Sequence, residues 1–213
     1  MSNARVGGIA LVVFAVASIA WFALELTPPS MGFGDTDNPA VSLDFLREHG
    51  ITYAYAGLAL FTMAAGLLVG SLALSDRLAE PPHSLAARAT GAVGLTAALF
   101  FFGHGVLRNS AGPLLHLESL DPSWGESAYL AVQMAGIHGF AQGGLVAFSA
   151  WAVLVSFLGR RTGAIPGWIA LLAVMPAFRL VTSLLGPFQV LDRLEDTLLP
   201  WSHLPGRTSI TGI

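Results

Sequence analysis

The chain has no cysteine and no lysine. The first absence removes disulfides, thiolate metal sites and cysteine nucleophiles, and leaves the redox compartment open. The second makes all ten basic residues arginine, a bias of the kind a GC-rich genome produces. Charge of either sign is scarce. Only 11% of residues are charged, where a soluble domain carries about 25%. There is no basic run and the net charge is −3, so nucleic acid is not an expected partner. Period-2 alternation is missing too, which argues against a membrane barrel. What the chain has in quantity is apolar surface: 54% of its 213 residues are hydrophobic and the mean hydropathy is +0.67. Lipid is the solvent this composition suits.

Five segments qualify as membrane helices, about 5–27, 51–75, 88–110, 128–158 and 164–187. Each approaches or exceeds the ~20 apolar residues that cross a bilayer. The apolar run from Val6 to Leu24 covers 19 residues, longer than the ~7–15 of a secretory signal, so it is read as a retained first span. Arginine placement sets the direction. With the N-terminus in the cytoplasm, the inner side holds Arg5, Arg77, Arg88, Arg160 and Arg161, against Arg47, Arg193 and Arg207 outside. That asymmetry predicts a cytoplasmic N-terminus and an extracytoplasmic C-terminus. In the outer segment 28–50, Asn38 followed by Pro39 reads as an N-cap and first helical position, opening a short interfacial helix at 40–48. Segment 111–127 reads as a second outer loop, with Trp124 and Tyr129 suited to the headgroup zone. At 188–200, Val190, Leu191, Leu194 and Leu198 share a face, which predicts an amphipathic helix lying on the outer surface. No internal repeat is evident, and 1–213 is read as one membrane domain.

The stretch "FFGHGVLRNSAG" (101–112) places His104 and Arg108 in a greasy segment. At ~1.5 Å per helical residue, counted from each cytoplasmic boundary, Glu25 lies ~30 Å up, His104 ~24 Å, Arg108 ~30 Å, His138 ~33 Å, Gln142 ~27 Å and Arg179 ~24 Å. The hydrocarbon core is ~30 Å thick. Six polar residues from four spans therefore form one belt in the outer half of the membrane or just above it. His104 and Arg108 are spaced i, i+4 and share a stripe, as do His138 and Gln142. Gly103, Gly105, Gly136, Gly139, Gly143 and Gly144 surround the two histidines, and small residues let membrane helices approach closely. Arg108 can snorkel towards the interface. Glu25 is the sole carboxylate within any span and pairs most naturally with Arg108 or Arg179. One arginine is then left over, and the belt favours an anion.

Other chemistries fit less well. His104 and His138 could be axial ligands of haem b, but their depths differ by ~9 Å, and no second histidine pair exists. A zinc ion on His104, His138 and Glu25 has a feasible ligand set but no H-E-x-x-H spacing. Glu25 and His138 could act as an acid/base pair, set against a purely structural ion pair. Ser110 lacks a G-x-S-x-G context for a hydrolase. His49, His83, His116 and His203 read as solvated loop or tail residues.

The segment "FLGRRTGAIPGWIALLAVMPAFRLV" (157–181) resembles a pattern in small actinobacterial and other bacterial multi-pass membrane proteins that are classed as domains of unknown function. It consists of an aliphatic helix end, a short basic loop and Ile-Pro-x-Trp opening the next span. The resemblance implies an inner-membrane protein of five or six helices and carries no activity or site residues. The expectation is an all-α bundle of five spans in the bacterial plasma membrane, with an outward-facing polar pocket. The pocket would take an anionic lipophilic molecule, such as a membrane lipid, or a helix of a partner subunit. The alternative is a membrane enzyme or haem b carrier using His104 and His138.

Overall fold

The computed structural model describes residues 2–30, 38–79, 84–166 and 173–185; within them, the side chains of 25–30, 137, 138, 179 and 183–185 lie outside the description. Every regular element among the described residues is helical. α1 is Asn3–Ser30, α2 Pro39–Leu78, α3 Ser84–Arg108, α4 Ala111–Leu120 and α5 Pro122–Gln133. A π-helical stretch, Met134–Ala141, joins α5 to α6 (Gln142–Arg161), and α7 is Val174–Leu185. Four of these helical runs are long and apolar enough to cross a membrane: α1, α2, α3 with α4, and α5 through α6. The fifth expected span is described only over α7, and the expected amphipathic tail at 188–200 lies outside the described residues.

Local chemistry sets the helix boundaries. The Val41 amide donates to the Asn38 side chain at 3.4 Å with Pro39 in the first turn, as the sequence suggests. α2 has 40 residues, about 60 Å at 1.5 Å per residue and twice the hydrocarbon thickness. Its continuity breaks at His49 (φ −125°, ψ 24°), which separates a short arm from the long run beyond it. Asp121 caps α5: the Ser123 amide donates to its carboxylate at 2.9 Å and Pro122 occupies the first turn. At the far end of α6, the Thr162 amide closes on the Leu158 carbonyl at 2.9 Å. Gly163 then takes φ +69°, a left-handed geometry that suits glycine beyond a helix end.

Glycine contacts give the register of the bundle. Gly7 faces Ala73 and Gly66 faces Ala10 and Phe14, so α1 and α2 are antiparallel. Gly91 faces Ser75, Gly94 faces Ser71 and Gly57 faces Asn109, so α2 and α3 are antiparallel. Gly103 meets Phe140, while Gly143 and Gly144 meet Phe100 and Phe101, so the π-helical stretch and α6 run antiparallel to α3. The close packing of the third and fourth runs expected from glycine content is present. The central core is Ala17, Leu60, Met63, Ala64, Leu67, Ala97, Ala98, Phe101, Trp151 and Val155. Leu78, Ala87 and Leu158 close one end. Leu43, Phe45, Leu46, Tyr53, Leu114 and Tyr129 close the other.

That second cluster revises the sequence reading. Residues 111–127 are not a loop: α4 and the start of α5 occupy them, with a single break at Asp121. Tyr129 is fully buried rather than set in a headgroup zone, and the Gln133 amide donates to its hydroxyl. The arm of α2, α4 and the start of α5 form a cap over this end. Arg47 ties the arm to α4 through Glu118 at 2.8 Å and also pairs with Asp44.

Candidate functional site

His104 lies on α3 in the last third of the bundle before the cap, and it is 2% exposed. Its ring meets the edge of Trp21 on α1, with centroids 6.1 Å apart and an interplanar angle of 79°. On the other side it faces the π-helical stretch. A Cβ at Gly136 would stand 3.7 Å from its Cδ2 and 3.9 Å from its Nε2. Neither ring nitrogen has a hydrogen-bond partner among the described residues. A neutral imidazole carries one donor and one acceptor, and leaving them unsatisfied inside a protein is unfavourable and rare.

One turn further along α3, Arg108 is 4% exposed. Its Cζ lies 4.9 Å from the centroid of the Tyr53 ring on α2, within cation–π range. The sequence predicts Arg108 snorkelling to the interface. Instead it is enclosed, because the segments taken for loops fold over that end and supply a protein environment. Asn109 follows, its side-chain amide donating to the Gly105 carbonyl at 2.9 Å, and Gly57 leaves room for it on α2.

The remaining belt residues are placed unequally. Glu25 is in the last two turns of α1 and Arg179 is in α7, with both side chains outside the description. Trp21 meets His104, and α1 and α3 run in the same direction, so position 25 stands one turn beyond the first contact as Arg108 stands one turn beyond the second. His138 lies in the π-helical stretch, its side chain also outside the description. Within this run Gly136, Phe140, Gly143 and Gly144 stand against α3. Residue 138 is therefore level with His104 along the bundle, and the depth offset counted from the sequence is absent. Gln142 is exposed rather than turned towards α3. The stripe expected from His138 to Gln142 assumed α-helical phase, which the π-helical stretch alters.

Of the loop histidines, His49 at the break in α2 stacks on Phe45, 4.6 Å between centroids and 13° between planes, and is only half-buried. His116 is exposed, and His83 and His203 lie outside the described residues. Among the described residues no three His, Asp or Glu groups gather as a metal ion would require. An apolar groove of about 610 Å³ runs between α1 and α2, lined by residues that include Val12, Val16, Ala20, Leu24, Tyr55 and Leu58. It is separate from His104.

Besides the helices within 111–127, sequence reasoning missed the π-helical stretch and the break at His49. "MAGIHGFA" holds two glycines, which weaken α-helical preference, but nothing in that composition specifies a π-helix. The Asp121–Pro122 pair, by contrast, is an ordinary N-cap and first-turn signal and could have located the start of α5. No protein-family model, curated protein or solved structure matches the chain.

Proposed function

We propose that the protein is a five-span binding protein of the bacterial plasma membrane. Its N-terminus would be cytoplasmic, and its polar cluster would lie in the outer half of the bilayer. That cluster takes the acidic head of a lipophilic molecule, or a polar residue from the helix of a partner subunit. The observation that carries this reading is His104: an imidazole buried to 2% exposure, unsatisfied among the described residues, and one turn from a buried guanidinium. Buried polar groups in native proteins find partners. A carboxylate or phosphate group suits the imidazole N–H and the arginine fork together. The parallel register of α1 and α3 supports Glu25 as a third member, opposite Arg108. The resemblance of 157–181 to bacterial multi-pass proteins agrees with the location and adds no activity.

The test is mass spectrometry of acidic lipophiles that co-purify in mild detergent. Arg108→Gln and Arg179→Gln should each reduce the retained acid while helical content stays intact. An unchanged complement in both variants would overturn the reading. Sidedness is tested separately: a C-terminal alkaline phosphatase fusion should be active, and an inactive one places the cluster in the inner leaflet.

A second reading, a haem b carrier or membrane enzyme using His104 and His138, gains from the level placement of residue 138. It loses from the packing. Gly136 stands against the His104 ring and Phe140 against Gly103, so a macrocycle ligated by both histidines requires α3 and the π-helical stretch to separate. A Soret band in the purified protein would favour it over lipid binding.

A further inference from the structure

The end of the bundle opposite the cap gathers five arginines from four helices. Gly7 packs on Ala73, which brings Arg5 of α1 towards Arg77 of α2. The Leu78, Ala87 and Leu158 cluster brings together the end of α2, the start of α3 with Arg88, and the end of α6 with Arg160 and Arg161. All five arginines are exposed, and none forms an ion pair among the described residues. The only described carboxylate near them is Asp76. The capped end is the reverse, with Asp44, Glu48, Glu118, Asp121 and Glu126 against Arg47 and the enclosed Arg108. Arg161 is also held in a specific way: its Cζ lies 4.5 Å over the ring of Phe157, itself 55% exposed. An exposed ring in an apolar run is set for acyl chains, and a guanidinium over it at the helix end is set at headgroup depth.

We propose that this basic end is a binding surface for the phosphate groups of anionic phospholipids, with Arg160 and Arg161 as its main contacts. The argument is charge complementarity. Arginine binds phosphate through two parallel hydrogen bonds, and a juxtamembrane basic residue favours an anionic leaflet by about five-fold. The site lies at the far end of the bundle from His104 and does not depend on the function proposed for that cluster.

The test uses the full chain in detergent micelles doped with equal amounts of phosphatidylglycerol and phosphatidylcholine, with retained lipid counted by native mass spectrometry. Wild type should retain phosphatidylglycerol preferentially. Arg160→Gln/Arg161→Gln should lower that preference by about 25-fold, while Arg47→Gln at the capped end should leave it unchanged. The wild-type preference should also fall as salt is raised, since these arginines are exposed; this readout stands even if the double variant does not fold. Equal retention of the two lipids by wild type would overturn the proposal. So would a preference indifferent to salt, or one equally strong in the folded double variant.

Discussion

Replacing His104 by Leu should make the ligand-stripped protein more stable. The imidazole sits between the edge of Trp21 and the glycine face at Gly136, with neither nitrogen hydrogen-bonded among the described residues. An unsatisfied buried polar group costs about 1–3 kcal/mol. Leucine is of similar volume and has no polar atom to satisfy, and a swap of matched volume costs less than about 1.5 kcal/mol in packing. The balance favours leucine by about 1 kcal/mol, which is roughly 2–4 °C in melting temperature for a chain of this size. The natural assay is tryptophan fluorescence on heating, since Trp21 contacts the ring directly. Two preparations are needed. In protein stripped of co-purifying lipophiles, His104→Leu should melt higher than wild type. In mildly extracted protein the order should reverse, because a ligand bound only by wild type adds stability by mass action. If the variant melts lower in the stripped protein as well, the imidazole supports the fold, and an empty hydrogen-bonding site at His104 is refuted.

Gly66→Ala should destabilise the bundle by about 1–3 kcal/mol, because its Cβ would lie 2.7 Å from the Ala10 carbonyl oxygen and 2.8 Å from the Phe14 nitrogen, backbone atoms that no rotamer change can move; chemical denaturation checks this. Glu25→Gln should cost about 3–5 kcal/mol if Glu25 neutralises Arg108 inside the bundle, and an unchanged melting temperature would show that the carboxylate is solvated. Hydrogen bonds from the Ser123 hydroxyl and then from its amide hold the Asp121 carboxyl below the usual carboxylate range. Its capping contribution is thus present above the unfolded value of about 3.9 and is lost as pH falls through the lower folded value. The gap in helix stability between wild type and Asp121→Ala should be constant near neutrality and close in strong acid, as circular dichroism against pH would show.

The helical class and four long apolar runs were legible because they depend on composition and length, which the sequence states outright. Asn38–Pro39 was legible because a cap acts over three residues. The relative depth of His104 and residue 138 was not, since it depends on where each helix starts: the fourth run begins at Pro122 rather than near 128, and the π-helical stretch alters its phase. Gln142 shows the consequence. It shares an α-helical stripe with His138 on paper and is exposed in the bundle. Arg108 was misplaced for a different reason. The cost of a charge in lipid argues for snorkelling, but protein is what surrounds this guanidinium.

The cap supplies that third environment. Its buried side chains come from the arm of α2, from α4 and from α5, segments whose polar and proline content reads as connecting loop. Yet Leu43, Phe45, Leu46, Leu114 and Tyr129 are all buried there, together with Tyr53, over which the guanidinium lies. An arginine in this position has exchanged water for an aromatic face and protein dipoles, which is tolerable only where polar partners converge. A structural ion pair alone would account for Arg108. It would not account for a second polar side chain one turn below, equally buried and without hydrogen bonds among the described residues. An unsatisfied imidazole one turn from a buried guanidinium on the same stripe makes His104 the residue through which a bound molecule would be detected.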